Sequence, residues 1–428
     1  MEKKKSNILA IVIMFFLFAM ISFVTGLQNP FGVIVKSQFN ASNALSQLGN
    51  LANFIAYLFM GLPAGFILKK YGYKVTALIA VSVGFVGVGI TFLSGIVASF
   101  AVYLLGAFVA GFSMCILNTV VNPMLNTLGG GGNRGNQLIQ FGGAFNSLSA
   151  TIVPVFVGYL IGNVTAGTQI ADANPALYIA MGIFALAFII ILFSSIPEPE
   201  LDAAKKAKEA GIAAESTASS VKGALGYRNF LFGIIAIFVY VGVEVCIPNI
   251  ANLYMTSEGI GISAAVAGSV VGMYWLLMFC GRLLGGLVGG KVSSRVMMTF
   301  VCSLAIVLLV IGMFLGDSST VRFPAVTSQL SFAMAEIPIG VMFFVLCGLC
   351  TSVMWGSIFN MAVEGLGKYT SIASGLFMMM VFGGGVLPVI QGAVADATNY
   401  IFSYVVVLIA VAYMLWYAIF GSKTVNKA

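Results

Sequence analysis

The chain has 428 residues, of which 60% are hydrophobic and only 8% charged, with a formal net charge of +7 and no histidine. Soluble domains carry about 25% charged residues, and no water-surrounded fold of this length hides so much apolar surface. A soluble globular protein is therefore excluded, and the chain is expected to cross a membrane many times.

A bilayer core about 30 Å thick takes roughly 20 apolar residues per helix. Runs of that length occur at 7–28, 44–68, 75–96, 98–127, 136–162, 175–195, 229–255, 263–289, 296–316, 334–362, 370–393 and 398–421. They predict an all-α fold with twelve transmembrane helices. The two-residue alternation of a membrane β-barrel strand, sustained over about ten positions, is absent. The first run follows MEKKKSN, is too long for a signal-peptide core and lacks a small-residue cleavage pattern. It is expected to stay in the mature protein.

Lysine and arginine in the short loops set the orientation. With the N-terminus inside, all 20 basic residues fall on the inner side except Lys36, Arg322 and Arg282, which lies within a span. Both termini are thus expected in the cytoplasm, and the positive charge serves topology with no call for nucleic acid. One long hydrophilic stretch, beginning IPEPELDAAKKAKEAG at Ile196, divides the chain into 1–195, a linker 196–227 and 228–428. Its composition suggests a short surface helix, and Pro197 and Pro199 mark the exit from the membrane.

The halves echo each other. FMGLPAGFILKKYGYKV (59–75) follows span two and FCGRLLGGLVGGKVSSRV (279–296) follows span eight, with Gly61 and Gly65 matched by Gly281 and Gly285. Small residues four apart let helices approach closely, and repeated halves around a central site build many secondary transporters. Six cysteines lie in apolar runs without histidine or a second C-x-x-C pair, so they read as small buried hydrophobes and no metal or other cofactor is expected. GGGG (129–132) and FGGG (382–385) lack the strand and the lysine–serine or lysine–threonine of a phosphate loop.

GFILKKYGYK (65–74) resembles the loop 2–3 signature of the major facilitator superfamily, through Gly65, Lys70, Gly72 and Lys74, with Lys69 where an acid is usual. FVTGLQNPFGVIVK (23–36), LNTVVNPMLNTLG (117–129), AFNSLSA (144–150), YVGVEV (240–245) and SVMWGSIFNMAVEGLGKYTSIASG (352–375), running on to GGGVLPVIQGAVAD (383–396), resemble its fucose, glucose and galactose permeases. The resemblance implies the major facilitator fold, two pseudo-symmetric six-helix bundles. It also implies import of a neutral monosaccharide such as glucose, galactose, mannose or fucose by alternating access. A co-transported H⁺ or Na⁺, a monomeric protein and the bacterial cytoplasmic membrane complete the expectation. Gly65, Lys70, Gly72, Lys74, Gly281 and Arg282 are expected at the gates, Arg282 as a latch near the inner end of span eight.

Acids that the proton-coupled relatives carry in spans one and four are replaced here by Asn29 and Asn118. An amide bonds a hydroxyl well but carries no proton at biological pH. The expected sugar contacts are Gln28, Asn29, Asn118, Asn122 and Asn146, with Trp355 and Asn360 from span ten. Asn118 and Asn122 could instead bond neighbouring helices, and Trp355 could pack between helices. The glutamine usual two positions before the phenylalanine of AFNSLSA is Gly143 here. Of 13 acids only Glu244 lies well inside a span, at a cost of roughly 2.5–3.5 kcal/mol on insertion scales. It is either the coupling carboxylate or half of an ion pair that locks span seven. Glu336 is expected near the outer end of span ten. An enzyme would need clustered histidines, cysteines or paired acids, so none is expected. A passive facilitator or a drug exporter of the same superfamily is the alternative.

Overall fold

The computed structural model describes residues 2–129, 132–161, 168–198, 201, 217–288, 292–327, 331–366 and 370–423. No water reaches the hydrocarbon to bond a bare amide, so spanning segments must satisfy their backbone internally. The apolar runs fold as helices accordingly. The first six spans are α1 (Glu2–Gln38), α3 (Leu48–Val97), which holds two spans and follows the single turn α2 (Asn43–Ser46), α4 (Phe100–Leu128), α5 (Gly132–Ile161) and α6 (Asn174–Phe193). A short helix α7 (Thr217–Leu225) precedes α8 (Arg228–Met255), α9 (Ala264–Val288) and α10 (Ser294–Leu315). A hairpin of β1 (Thr320–Val326) and β2 (Phe332–Pro338) leads into α11 (Ile339–Thr351), α12 (Met354–Val363), α13 (Thr370–Met379) and α14 (Gly383–Ala397). The last span is α15 (Tyr400–Ser403) with α16 (Val405–Trp416).

Ten described segments are long and apolar enough to cross a membrane. With α1, whose apolar stretch is Ile8–Val24, and the 30-residue α5, they make the expected twelve. Prolines 63, 123, 248 and 388 sit inside helices, as neighbouring helices permit in a membrane. Between the runs 75–96 and 98–127 a left-handed Ala98 (φ 47°, ψ 44°) ends α3. Residues 202–216 of the linker lie outside the described residues.

One boundary differs from the sequence expectation. Residues 332–338 do not begin span ten, which starts at Ile339. They pair antiparallel with 320–326, setting Glu336 opposite Arg322, so Glu336 belongs to a loop hairpin. Strand pairing satisfies the backbone of this apolar stretch where Pro338 already bars a continuous helix.

The first six spans pack on the last six at several places. α3 packs on α13 and α14, and α5 packs on α9. At the end opposite the basic loops the closure is tight. The Asp396 carboxylate accepts from the backbone N–H groups of Asn43 (2.9 Å) and Ala44 (3.0 Å), capping α2 from across the interface. Lys36 Nζ donates to Asn43 Oδ1 (2.5 Å) and Tyr400 Oη (2.7 Å), tying α1 to the last span. The repeated glycines behave unequally. Gly61 faces Met379 and Gly281 faces Ser352, whereas Gly65 meets no neighbour within 4 Å.

Within the first half, α3 and α4 touch most closely where Gly111 lies against the carbonyl of Asn53, and Asn53 Nδ2 donates to Ala107 O at 3.2 Å one turn away. A side chain at 111 would drive the helices apart. Gly111→Val should therefore lower the melting temperature of the detergent-purified protein, at the overpacking cost of about 1–3 kcal/mol. Gly65→Ala, with open space around it, should leave it unchanged.

Candidate functional site

Midway along α8, Glu244 meets Arg282 of α9, with Arg282 Nη2 at 3.3 Å from Glu244 Oε1. The two side chains are only 13% and 10% exposed. A lone charge at this depth is costly, and a partner with further hydrogen bonds offsets that cost. Arg282 has those bonds. Its Nη1 donates to Gly143 O (2.7 Å) and Ser147 Oγ (2.7 Å), both on α5 of the opposite half. A methyl group at Gly143 would stand 3.6 Å from the arginine side chain, in ordinary contact. Arg282 lies six residues before the end of α9, about 9 Å inside it at 1.5 Å per residue.

Tyrosines complete this polar seam. Tyr240, one turn before Glu244, is fully buried beside both charges and donates to Thr351 O at 3.2 Å. Tyr274 and Thr351 share a 3.0 Å bond between their hydroxyls. Trp355, partly buried, meets the rings of Tyr240 (6.2 Å) and Phe377 (5.8 Å) edge-on and so stands one side chain from the ion pair. Asn360 is exposed on α12, a turn after Gly356, which abuts Gln140 of α5.

The amides of the first half form their own layer. Asn118 Nδ2 donates to Tyr57 Oη (2.8 Å) and Met114 O (3.2 Å), joining α4 to α3. Asn122 Nδ2 donates to the backbone and side-chain oxygens of Asn118 (2.9 and 3.3 Å). Both asparagines are only partly buried. Asn146 Nδ2 donates to Phe18 O of α1 at 3.0 Å, one residue from the serine that binds Arg282. The side chains of Gln28 and Asn29 lie outside the described residues. The structure thus gathers Glu244, Arg282 and Trp355 at one seam and Asn118 with Asn122 at a second layer, with Asn146 between α5 and α1.

Gly72, Lys74 and Glu198 meet at the basic end. Gly72 (φ +80°) breaks α3, and the Glu198 carboxylate then caps the next helix, accepting from Tyr73 N (2.6 Å) and Lys74 N (2.9 Å). The acid absent from the loop signature at Lys69 is supplied from beyond span six. Lys74 Nζ donates to Ser194 O (2.9 Å), and in the second half Arg295 donates to Ser422 Oγ and O (both 3.1 Å). Lys70 is exposed and stacks over its neighbour Tyr71 at 5.0 Å. Tyr57, Ser147, Tyr240, Thr351 and Glu198 went unremarked in the sequence. Only Tyr240 carries a local signal, its one-turn spacing from Glu244.

The described residues contain no cluster of histidine, cysteine, aspartate and glutamate able to hold a metal ion. An apolar groove between α3 and α4, lined by Leu51, Ile55, Leu105 and Phe108, lies apart from these polar groups.

Twelve spans in two packed sets of six, with a polar seam between them, define a multi-pass membrane protein of the transporter kind. Residues 14–387 match the Major Facilitator Superfamily, and the chain belongs to it. It is 29% identical over 414 residues to the "Glucose/galactose transporter" of Brucella abortus biovar 1 (strain 9-941), covering 95% of this chain and 93% of that protein. It is 22% identical over 411 residues to the "L-fucose-proton symporter" of Escherichia coli (strain K12), covering 91% and 88% respectively. The crystal structure of the superfamily transporter FucP in the outward conformation shares its fold, with a TM-score of 0.71 at 19% identity over 98% of this chain and 100% of that one.

Removing one member of a buried ion pair strands the other, at about 3–5 kcal/mol. Arg282→Met and Glu244→Gln should each lower the melting temperature in detergent, and the double variant should lose less than the two losses added. Strict additivity would mean that the two charges do not stabilise one another.

Proposed function

We propose that this chain is a secondary active transporter of the bacterial cytoplasmic membrane that imports a neutral hexose with a proton. Residues 1–195 and 228–428 act as two domains that rock about the site, joined by the linker 196–227, with both termini in the cytoplasm and the monomer as the working unit. The carrying observation is the Glu244–Arg282 pair, a deep carboxylate whose partner also binds the opposite half. Relatives that span nearly the whole chain are named for glucose, galactose and fucose with a proton.

The chemistry follows from the residue types. Each asparagine offers one carbonyl acceptor and two N–H donors, the complement of a hydroxyl that both donates and accepts. Asn118, Asn122 and Asn146 supply such groups from the first half, with Gln28 and Asn29 as further candidates on α1. From the second half Trp355 offers an apolar ring face to the C–H side of a pyranose, and Asn360 a further amide. None of these groups changes charge. Glu244 does: when it takes up a proton its attraction to Arg282 falls, and the guanidinium is left to Gly143 O and Ser147 Oγ. Protonation at one residue thereby shifts the balance of contacts across the domain interface. Gly65, Lys70, Gly72, Lys74 and Gly281 belong to the inner gate in this scheme, and Arg282 works at the centre.

Uptake of labelled glucose, galactose, mannose and fucose into proteoliposomes, with proton and sodium gradients imposed separately, tests the scheme. Proton-driven accumulation of at least one hexose is expected; sodium-driven accumulation would reassign the ion, and uptake of none would end the sugar assignment. Glu244→Gln should abolish accumulation while sparing hexose exchange, because exchange never returns an empty, deprotonated carrier. Accumulation equal to the parent's would leave Glu244 with a structural role alone. Asn118→Ala and Asn146→Ala should each raise the apparent KM about tenfold at normal surface expression, the loss of one to two hydrogen bonds.

A further inference from the structure

A second group of amides is buried between the halves at the end away from the basic loops. Gln47 links α2 to α3, Asn50 follows one turn along α3, and Asn249 comes from α8. They are 2%, 4% and 5% exposed. Gln47 Oε1 accepts from Asn50 Nδ2 and from Asn249 Nδ2, each at 3.0 Å, so a single oxygen bonds both halves. Asn50 Oδ1 is buried with no hydrogen-bond partner. An amide oxygen kept dry and unbonded is destabilising, and its presence is best explained by a second state in which something donates to it.

The place of the cluster says what that donor is. Asn50 stands seven residues before Tyr57 on α3, about 10 Å along the helix, and Asn249 stands five residues beyond Glu244 on α8, about 8 Å. The cluster is thus one step outward from the central site on both halves at once. Asn43 and Ala44 at the start of this layer face Gly392 of α14, and Leu51 faces Gly385, so the layer opens only when the halves part. Three amides offer donors and acceptors together, with no carboxylate among them to favour a cation. They suit a neutral ligand rich in hydroxyls.

We infer that Gln47, Asn50 and Asn249 form an outer carbohydrate station. When the halves part at this end, the amides that clasp one another bond the hydroxyls of an incoming neutral sugar, and Asn50 Oδ1 gains an O–H donor. When the sugar moves on to the Tyr57–Asn118 layer, the amides re-form the seal. The station rests on the sugar-transport reading above and adds to it a site on the approach path.

Asn50→Leu and Asn249→Ala, one from each half, test the station, with monodisperse elution in detergent as the check on folding. KM for hexose is measured on each face, in whole cells from outside and in inside-out vesicles from inside. The station requires the outside KM to rise about tenfold in either folded variant, with the inside KM unchanged. A mere seal gives the opposite sign: loosening it raises the outward-facing fraction and lowers the apparent outside KM. An outside KM lowered or unchanged in the variants therefore overturns the station. Uptake by the parent separates the two readings, since a parent that transports beside unshifted variants removes the station alone, and a parent that takes up no hexose removes both.

Discussion

A carboxylate inside a slab of hydrocarbon needs a counter-charge, and the need of Glu244 for Arg282 organises the middle of this molecule. The pair brings α8 and α9 to a fixed rotation and depth, and Tyr240, Tyr274 and Thr351 fill the hydrogen bonds around it. Arginine suits this place better than lysine would. Its planar fork holds several acceptors at once, here Glu244 on one side and two oxygens of α5 on the other. The pair is therefore also a joint between halves.

The two ends of the bundle are held by different means. At the basic end each half ties its own elements together. Lys74 reaches the carbonyl at the end of span six, Arg295 reaches the end of span twelve, and neither bond crosses between halves. At the other end the ties do cross, through Asp396 on α2, Lys36 on Tyr400 and Gln47 under Asn249. Bonds made within a half survive a rocking motion, and bonds made between halves must break for one. The polar ties named at the basic end thus stay within a half, and those named at the opposite end cross between halves.

The fold was legible in the sequence to the extent that it depends on local apolarity. A run of roughly 20 apolar residues has one solution in a bilayer, so the span count followed directly. After the repeated glycines each half carries a basic residue, Lys74 or Arg295, that bonds within its own half. What escaped depends on pairing at a distance. The hairpin at 320–338 is strand only because two seven-residue segments lie in register, and either one alone passes for the edge of a span. Glu198 reads as one more linker acid, and its work is done at Tyr73 and Lys74, more than a hundred residues away. Arg282 follows the repeat as a gate residue. Its long side chain and the rotation of α9 take the charge inward to Glu244, and no periodicity in the sequence states that rotation.

Gly143 and the missing acids are two sides of one arrangement. In the permeases that this chain resembles, a glutamine is usual at 143, and acids are usual at the positions of Asn29 and Asn118. Here the first half presents amides, and the Gly143 carbonyl accepts from an arginine of the second half. A glutamine at 143 would set a polar side chain beside the guanidinium, and an acid at 118 would set a carboxylate in the neighbouring layer, against Tyr57. The changes are mutually consistent. The first half thus presents uncharged hydrogen-bonding groups and the second half a deep carboxylate, with Arg282 as the physical link between the two.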